Sequence, residues 1–176
     1  MEHQALVAVG ACNLRCQYCW YETGVLDYVR TTVTPANLSR WLDECRKLYT
    51  VNYLTITGGE PMLRRDFGEL LDVGVQHRLQ VAVLTNGTRI TDQWARTFRE
   101  KDIAVFISLD SLTPDYHNTV RGQHDEVMRG IRLLADADVP ERYLTTVVSR
   151  GNLDQMEPLL DFAEQHGFTI NFHVAA

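Results

Sequence analysis

Six short apolar runs, separated by stretches of helical periodicity, constrain this chain more than any other feature. They fall at 4–9, 52–57, 80–84, 103–109, 143–148 and 169–174 and are rich in Val, Ile, Leu and Thr. Runs of this length and composition read as buried parallel strands. Between them, apolar residues recur at helical spacing. Thr34-Pro35 supplies an N-cap and first-turn proline for a helix whose expected face is Leu38, Trp41, Leu42, Cys45, Leu48 and Tyr49. A second helix over 65–77 carries Phe67, Leu70, Leu71, Gly74 and Val75. Thr91 caps a short third helix with Trp94 and Phe98 one turn apart. A fourth, over 125–135, uses Val127, Ile131 and Leu134. Asn152 opens a fifth with Leu153, Met156, Leu160 and Ala163 inward, stopped at His166-Gly167. Sustained strand–helix alternation predicts an α/β fold with a curved parallel sheet. Six strands with five helices between them predict an incomplete barrel over 1–176 as one domain, lacking a sixth helix. A last strand left bare is a costly edge, so the expectation is a truncated form, a short variant or a partner-dependent chain.

Three of the four cysteines lie in one eight-residue stretch, Cys12-Asn13-Leu14-Arg15-Cys16-Gln17-Tyr18-Cys19, just after the first run. Loops this short strain a disulfide. Thiolates this close converge more readily on a metal centre, and thiolate-rich sites suit zinc or an iron–sulfur cluster. A closed zinc site needs a fourth ligand, for which His3 or Cys45 would have to serve. Three ligands on a four-iron cube leave one iron open instead. The spacing ranks the cluster ahead of zinc, and zinc ahead of uncommitted thiols. Cys45 falls on a packed helical stripe and reads as a small buried hydrophobe.

Cys12-x3-Cys16-x2-Cys19, with Tyr18 directly before the last cysteine, resembles the signature of the radical S-adenosylmethionine (SAM) superfamily. Thr57-Gly58-Gly59-Glu60-Pro61, after the second run, resembles that superfamily's Gly-Gly-Glu motif. The superfamily's core is a partial (β/α)6 barrel, so the resemblance covers nearly the whole chain. It implies a [4Fe–4S] cluster on Cys12, Cys16 and Cys19, with the open iron taking the amino and carboxylate groups of SAM. It also implies the chemistry: one electron from the cluster cleaves SAM to methionine and a 5′-deoxyadenosyl radical, which abstracts hydrogen from a substrate C–H bond. An electron donor such as flavodoxin or ferredoxin is implied as a partner.

In parallel α/β folds ligands gather beyond the carboxyl ends of the strands. Polar residues collect at that edge here. The resemblance places Tyr18 near cluster and adenine, although the ring could equally pack as a cover against water. Gly58 and Gly59 permit close backbone approach to the methionine moiety, and Glu60 either meets its ammonium or orients the turn. Thr85 and Asn86 end the third strand. Thr85 and Ser108 suit the SAM carboxylate or ribose, and Asp110 suits ribose hydroxyls or a turn. His117, Val120, Arg121 and Gly122 resemble a segment of the branch that matures peptides, molybdenum-cofactor precursors and quinone cofactors. Arg121 is open to two roles, a bidentate carboxylate clamp and a loop-fixing ion pair, while His117 reads as structural. Asn171 and His173 share one side of the last strand. A substrate, small molecule or peptide, would sit over the barrel mouth beside residues 20–32.

Composition excludes other classes. A hydrophobic content of 45% and a charged content of 23% are ordinary for a globular chain. The net charge of −6 with scattered arginines argues against a nucleic-acid surface. No apolar stretch approaches membrane-spanning length. Clustered thiols without a secretion signal place the chain in a reducing cytoplasm.

Overall fold

The computed structural model describes residues 3–19 and 33–174, with side chains from residue 9 onward. The expected loop over 20–32 and the side chain of His3 lie outside the described residues. Six strands form one sheet in sequence order: β1 (His3–Val9), β2 (Val51–Gly58), β3 (Gln80–Thr85), β4 (Ala104–Ser108), β5 (Arg142–Val148) and β6 (Thr169–Val174). Every neighbouring pair is parallel. β1 and β6 remain the two edges, so the sheet is that of an open, partial barrel. No described helix is long and apolar enough to cross a membrane.

The helices α1 (Pro35–Arg46), α2 (Phe67–Gln76), α3 (Asp92–Glu100), α4 (Pro114–Val120), α5 (His124–Asp136) and α6 (Met156–Gln165) connect the strands. Leu54 and Ile56, Val83, Val105 and Ile107, and Leu144 point from the strands into a layer closed by Leu42, Phe67, Leu70, Phe98, Ile131 and Leu159. Burial of this layer supplies the main stabilisation of the fold, about 25 cal/mol for each Å2 of apolar surface removed from water. The other sheet face carries Leu84, paired with Phe106, which is paired with Tyr143. Residues in register on parallel strands share a face, and the Phe106 and Tyr143 rings stack there at 4.3 Å.

Local chemistry sets the helix ends. The Thr34 hydroxyl accepts from Asn37 N at 3.2 Å, and Thr91 accepts from Trp94 N at 3.3 Å. Four helices stop through one left-handed residue: Arg78, Asp102, Asp138 and Gly167 all have positive φ. The next N–H then bonds back to the last turn, as in Leu79 to Gly74 and Phe168 to Ala163. The strand begins immediately, so the edge opposite the site is made of tight connections.

Four expectations shift. α1 ends at Arg46, and Trp41, Leu48 and Tyr49 are exposed while Leu38 and Leu42 are buried. A 3-10 turn, Leu153–Gln155, precedes α6. Its three-residue winding puts Leu153 out of phase, so Leu159 and Ala163 face inward while Leu153 and Leu160 are exposed. The expected loop around His117 contains α4, begun by Pro114 and too polar to show a periodic stripe. Val75, expected inward on α2, is 38% exposed.

Candidate functional site

A cavity of about 250 Å3 opens at the carboxyl ends of the strands. Cys12, Cys16, Tyr18 and Cys19 line one wall, Gly58 and Gly59 another, and Thr85, Asn86, Ser108 and Arg121 the remainder. Ten residues named from sequence therefore meet at one place. Thr57, the first residue of the Gly-Gly-Glu segment, lines it too, as do Leu14, Leu84 and Val147, to which the sequence assigned no role.

The cysteine loop is fixed from both sides. Gly59 N donates to Val9 O at 2.6 Å and Glu60 N to Ala11 O at 2.7 Å, tying the end of β1 to the Gly-Gly turn. A Cβ on Gly59 would stand 2.2 Å from Ala11 O, so only glycine permits this approach. Gly58 has φ +112, a conformation open chiefly to glycine. On the far side, Gln17 N donates to Val120 O and Gln17 Nε2 to Thr119 O, both at 2.9 Å. Asn13 Nδ2 reaches the Thr88 hydroxyl at 2.9 Å.

All four cysteines are free thiols, with Cys12 exposed and Cys16 and Cys19 half-buried. Leu14 N approaches Cys12 Sγ at 3.4 Å and Asn86 Nδ2 approaches it at 3.9 Å. Arg121 Nη1 lies 3.9 Å from Cys16 Sγ. Burial pushes both the Cys12 and Cys16 thiols up; Leu14 N–H opposes this at the first, and the Arg121 guanidinium at the second. A metal arriving here displaces protons from both. Among the described residues, no three His, Cys, Asp or Glu side chains are close enough to hold a single ion. Three thiols on one short loop are nevertheless a donor set that suits a thiolate-held metal or iron–sulfur cluster.

Glu60 does not face the cavity. It is fully buried, and its carboxylate accepts from Met62 N at 3.1 Å, the Thr85 hydroxyl at 2.8 Å and Asn86 N at 2.8 Å. Of the two roles read from sequence, orienting the turn is the one its contacts fill. Thr85 is correspondingly committed, donating to Glu60 and accepting from Gly87 N at 3.0 Å. Asp110, expected at a ribose, is fully buried and paired with Arg121 (Nε to Oδ2, 2.5 Å), while Oδ1 accepts from Val147 N at 2.8 Å. Arg121 thus makes the loop-fixing ion pair, with Nη1 left toward the cavity. Ser108 alone among the expected hydroxyls lines the cavity without a hydrogen-bond partner among the described residues. The Tyr18 hydroxyl is buried and unpartnered among the described residues, and its ring lies 5.2 Å from the Arg121 guanidinium carbon.

His117 is buried, with Nδ1 accepting from Asp110 N at 3.4 Å; burial, helped by the Arg121 charge, lowers its pKa to about 3. Asn152, which belongs to no motif, is fully buried and donates to Asp110 O at 2.8 Å and Val147 O at 3.0 Å. Asn171 and His173 pair with Thr145 and Val147. Because Val147 lines the cavity, the last strand turns both residues to the cavity-bearing face.

An open parallel half-barrel with a three-thiol loop and a Gly-Gly turn on one cavity defines a cofactor-binding α/β domain. Residues 6–163 match the radical SAM superfamily, and the chain belongs to it. The family's cofactors are a [4Fe–4S] cluster and SAM. The chain is 34% identical over 168 residues to mycofactocin maturase MftC of Mycolicibacterium smegmatis, covering 91% of this chain and 41% of that protein. It is 32% identical over 177 residues to GTP 3′,8-cyclase 3 of Mycobacterium bovis, covering 95% and 47%. The chain thus spans less than half the length of these relatives. Its fold matches Streptococcus suis SuiB bound to S-adenosylmethionine (TM-score 0.85, 18% identity, 99% of this chain and 40% of that one). It also matches native anSMEcpe with bound AdoMet and Cp18Cys peptide (TM-score 0.82, 21% identity, 99% and 51%).

Proposed function

We propose that this chain carries the cluster and SAM site of a radical SAM enzyme. One observation carries the reading: three free thiols, a glycine turn and the Ser108 hydroxyl, unpartnered among the described residues, meet on a single cavity at the strand ends. Cys12, Cys16 and Cys19 would hold three irons of a [4Fe–4S] cluster, leaving the fourth for the amino and carboxylate groups of SAM. Bound together, cluster and SAM supply one-electron cleavage of the sulfonium and a 5′-deoxyadenosyl radical for hydrogen abstraction.

The protein's own contribution is positional. Gly58 and Gly59 bring backbone against the methionine moiety, with Glu60 holding the turn from behind. Ser108 flanks the carboxylate, with Arg121 beside it and its Nη1 held toward Cys16, and Tyr18 covers the cluster, offering its hydroxyl to whatever fills the cavity. Leu84 and Val147 exclude water on the sheet side. The substrate is a peptide or a small molecule presented from the face carrying Asn171 and His173. MftC is named a maturase and SuiB has been solved with its precursor peptide SuiA, which supports the peptide class. A low-potential donor such as flavodoxin or ferredoxin supplies the electron. A purely structural or electron-transfer metal protein would leave the cavity and Gly-Gly turn without purpose.

Anaerobic reconstitution with iron and sulfide, followed by electron paramagnetic resonance with and without SAM, tests this. The expected result is about four irons per chain and a reduced-cluster spectrum that changes on adding SAM. Retention of zinc alone, or a spectrum indifferent to SAM, overturns it.

A further inference from the structure

The guanidinium of Arg121 is fixed on three sides. Nε donates to Asp110 Oδ2 at 2.5 Å and Nη2 to Asp110 Oδ1 at 3.3 Å. Its central carbon stands over the Tyr18 ring, 5.2 Å from the ring centroid. Nη1 lies 3.9 Å from Cys16 Sγ.

The clamp that sets this direction is itself immobile. Asp110 has no exposed surface; Val147 N donates to its carboxylate at 2.8 Å and Asn152 Nδ2 to its carbonyl at 2.8 Å. A bidentate carboxylate fixes the plane of an arginine as well as its position. The sulfur is held to the same frame, because Gln17, next to Cys16, is bonded through backbone and side chain to Val120 and Thr119, just before Arg121. Nothing about binding SAM requires a guanidinium to be aimed at a thiol.

Arginine keeps its charge at all working pH values. A positive N–H donor at a cluster-ligating sulfur favours the more negative oxidation state, and hydrogen bonds to sulfur are a principal means by which proteins set cluster potential. We propose that Arg121, locked by Asp110, donates to the Cys16 thiolate and makes the cluster bound there easier to reduce. This rests on the three-cysteine cluster reading above.

The test is a redox titration of the reconstituted full chain without SAM, followed by electron paramagnetic resonance, for the wild type, Arg121→Gln, Arg121→Lys and Asp110→Asn. Arg121→Gln is expected to shift the reduction equilibrium about tenfold toward the oxidised cluster, about 59 mV for one electron. Arg121→Lys keeps the charge but cannot span Asp110 and the sulfur together, so its potential falls in between; it decides the question if the glutamine variant loses iron. Asp110→Asn removes a negative charge, which alone would raise the potential. The proposal expects a fall instead, because the guanidinium is released from Cys16. Equal or higher potentials in both Arg121 variants overturn the proposal, and a rise in Asp110→Asn overturns the locking role. If the wild type forms no four-iron cluster, the functional reading itself fails. If the cluster forms and responds to SAM but the variants match the wild type, only this inference does.

Discussion

The carboxylate of Glu60, just past the end of β2, accepts the backbone N–H of Asn86, just past the end of β3, at 2.8 Å. This bond ties two neighbouring strand ends on the cavity side of the sheet. The acidic residue of the Gly-Gly-Glu turn thus holds the cradle together from behind and does not line the cavity.

Glu60→Ala should therefore destabilise the fold rather than merely weaken ligand binding. Met62 N–H, the Thr85 hydroxyl and Asn86 N–H would be left without their acceptor, at about 3 kcal/mol in total. Glu60→Gln should cost less, about 1 kcal/mol, because its amide nitrogen faces one of those donors while its oxygen still accepts from the others. Urea unfolding of the metal-free chain measures both.

Gly59→Ala should separate the glycine turn from the cysteine loop. The added Cβ meets Ala11 O at 2.2 Å, and relief requires breaking the adjacent Glu60 N to Ala11 O bond. The expected outcome is failure to retain iron after reconstitution, measured by metal analysis, together with about 2 kcal/mol of lost stability.

Stability should fall with acid through His117. Burial lowers its pKa from the ordinary 6.5 to about 3, so the unfolded chain takes a proton that the folded chain refuses. The histidine's contribution is complete above pH 6.5 and is lost as pH falls toward 3, with a limiting slope of about 1.4 kcal/mol per pH unit. His117→Asn keeps an acceptor for Asp110 N but does not titrate. Its unfolding free energy should show a shallower slope across this window, whatever its absolute stability.

The cysteines should divide three to one. Cys12→Ala, Cys16→Ala and Cys19→Ala each should lose most cluster iron, whereas Cys45→Ala, a half-buried thiol packed against the core, should bind iron as the parent does and lose about 1 kcal/mol or less. Iron loss in Cys45→Ala would show that the ligand set is wrongly assigned.

What the sequence reveals is what is decided locally. Strand runs, the Thr34 and Thr91 caps and the Gly167 stop depend on neighbours a few residues away, and all appear where expected. α4 is hidden because its segment is polar and only His117 and Val120 are buried. α6 rotates out of its expected phase because a turn of different winding precedes it. At the site, the polar and glycine residues of the cavity are legible in the sequence, whereas the apolar ones, Leu14, Leu84 and Val147, and the partners behind them are not. Asp110, read as a ribose contact or a turn residue, is instead taken by Arg121 in an ion pair that nothing in its own neighbourhood announces, and Asn152 reaches Asp110 from 42 residues away with no pattern to announce it.

The most direct test of the account is anaerobic incubation of the reconstituted chain with SAM and dithionite, with 5′-deoxyadenosine and methionine measured against time. The account predicts that both products form in equal amounts and that Cys16→Ala abolishes them. A chain that carries four irons yet releases neither product, or a Cys16→Ala variant that releases them at the parent rate, would contradict it.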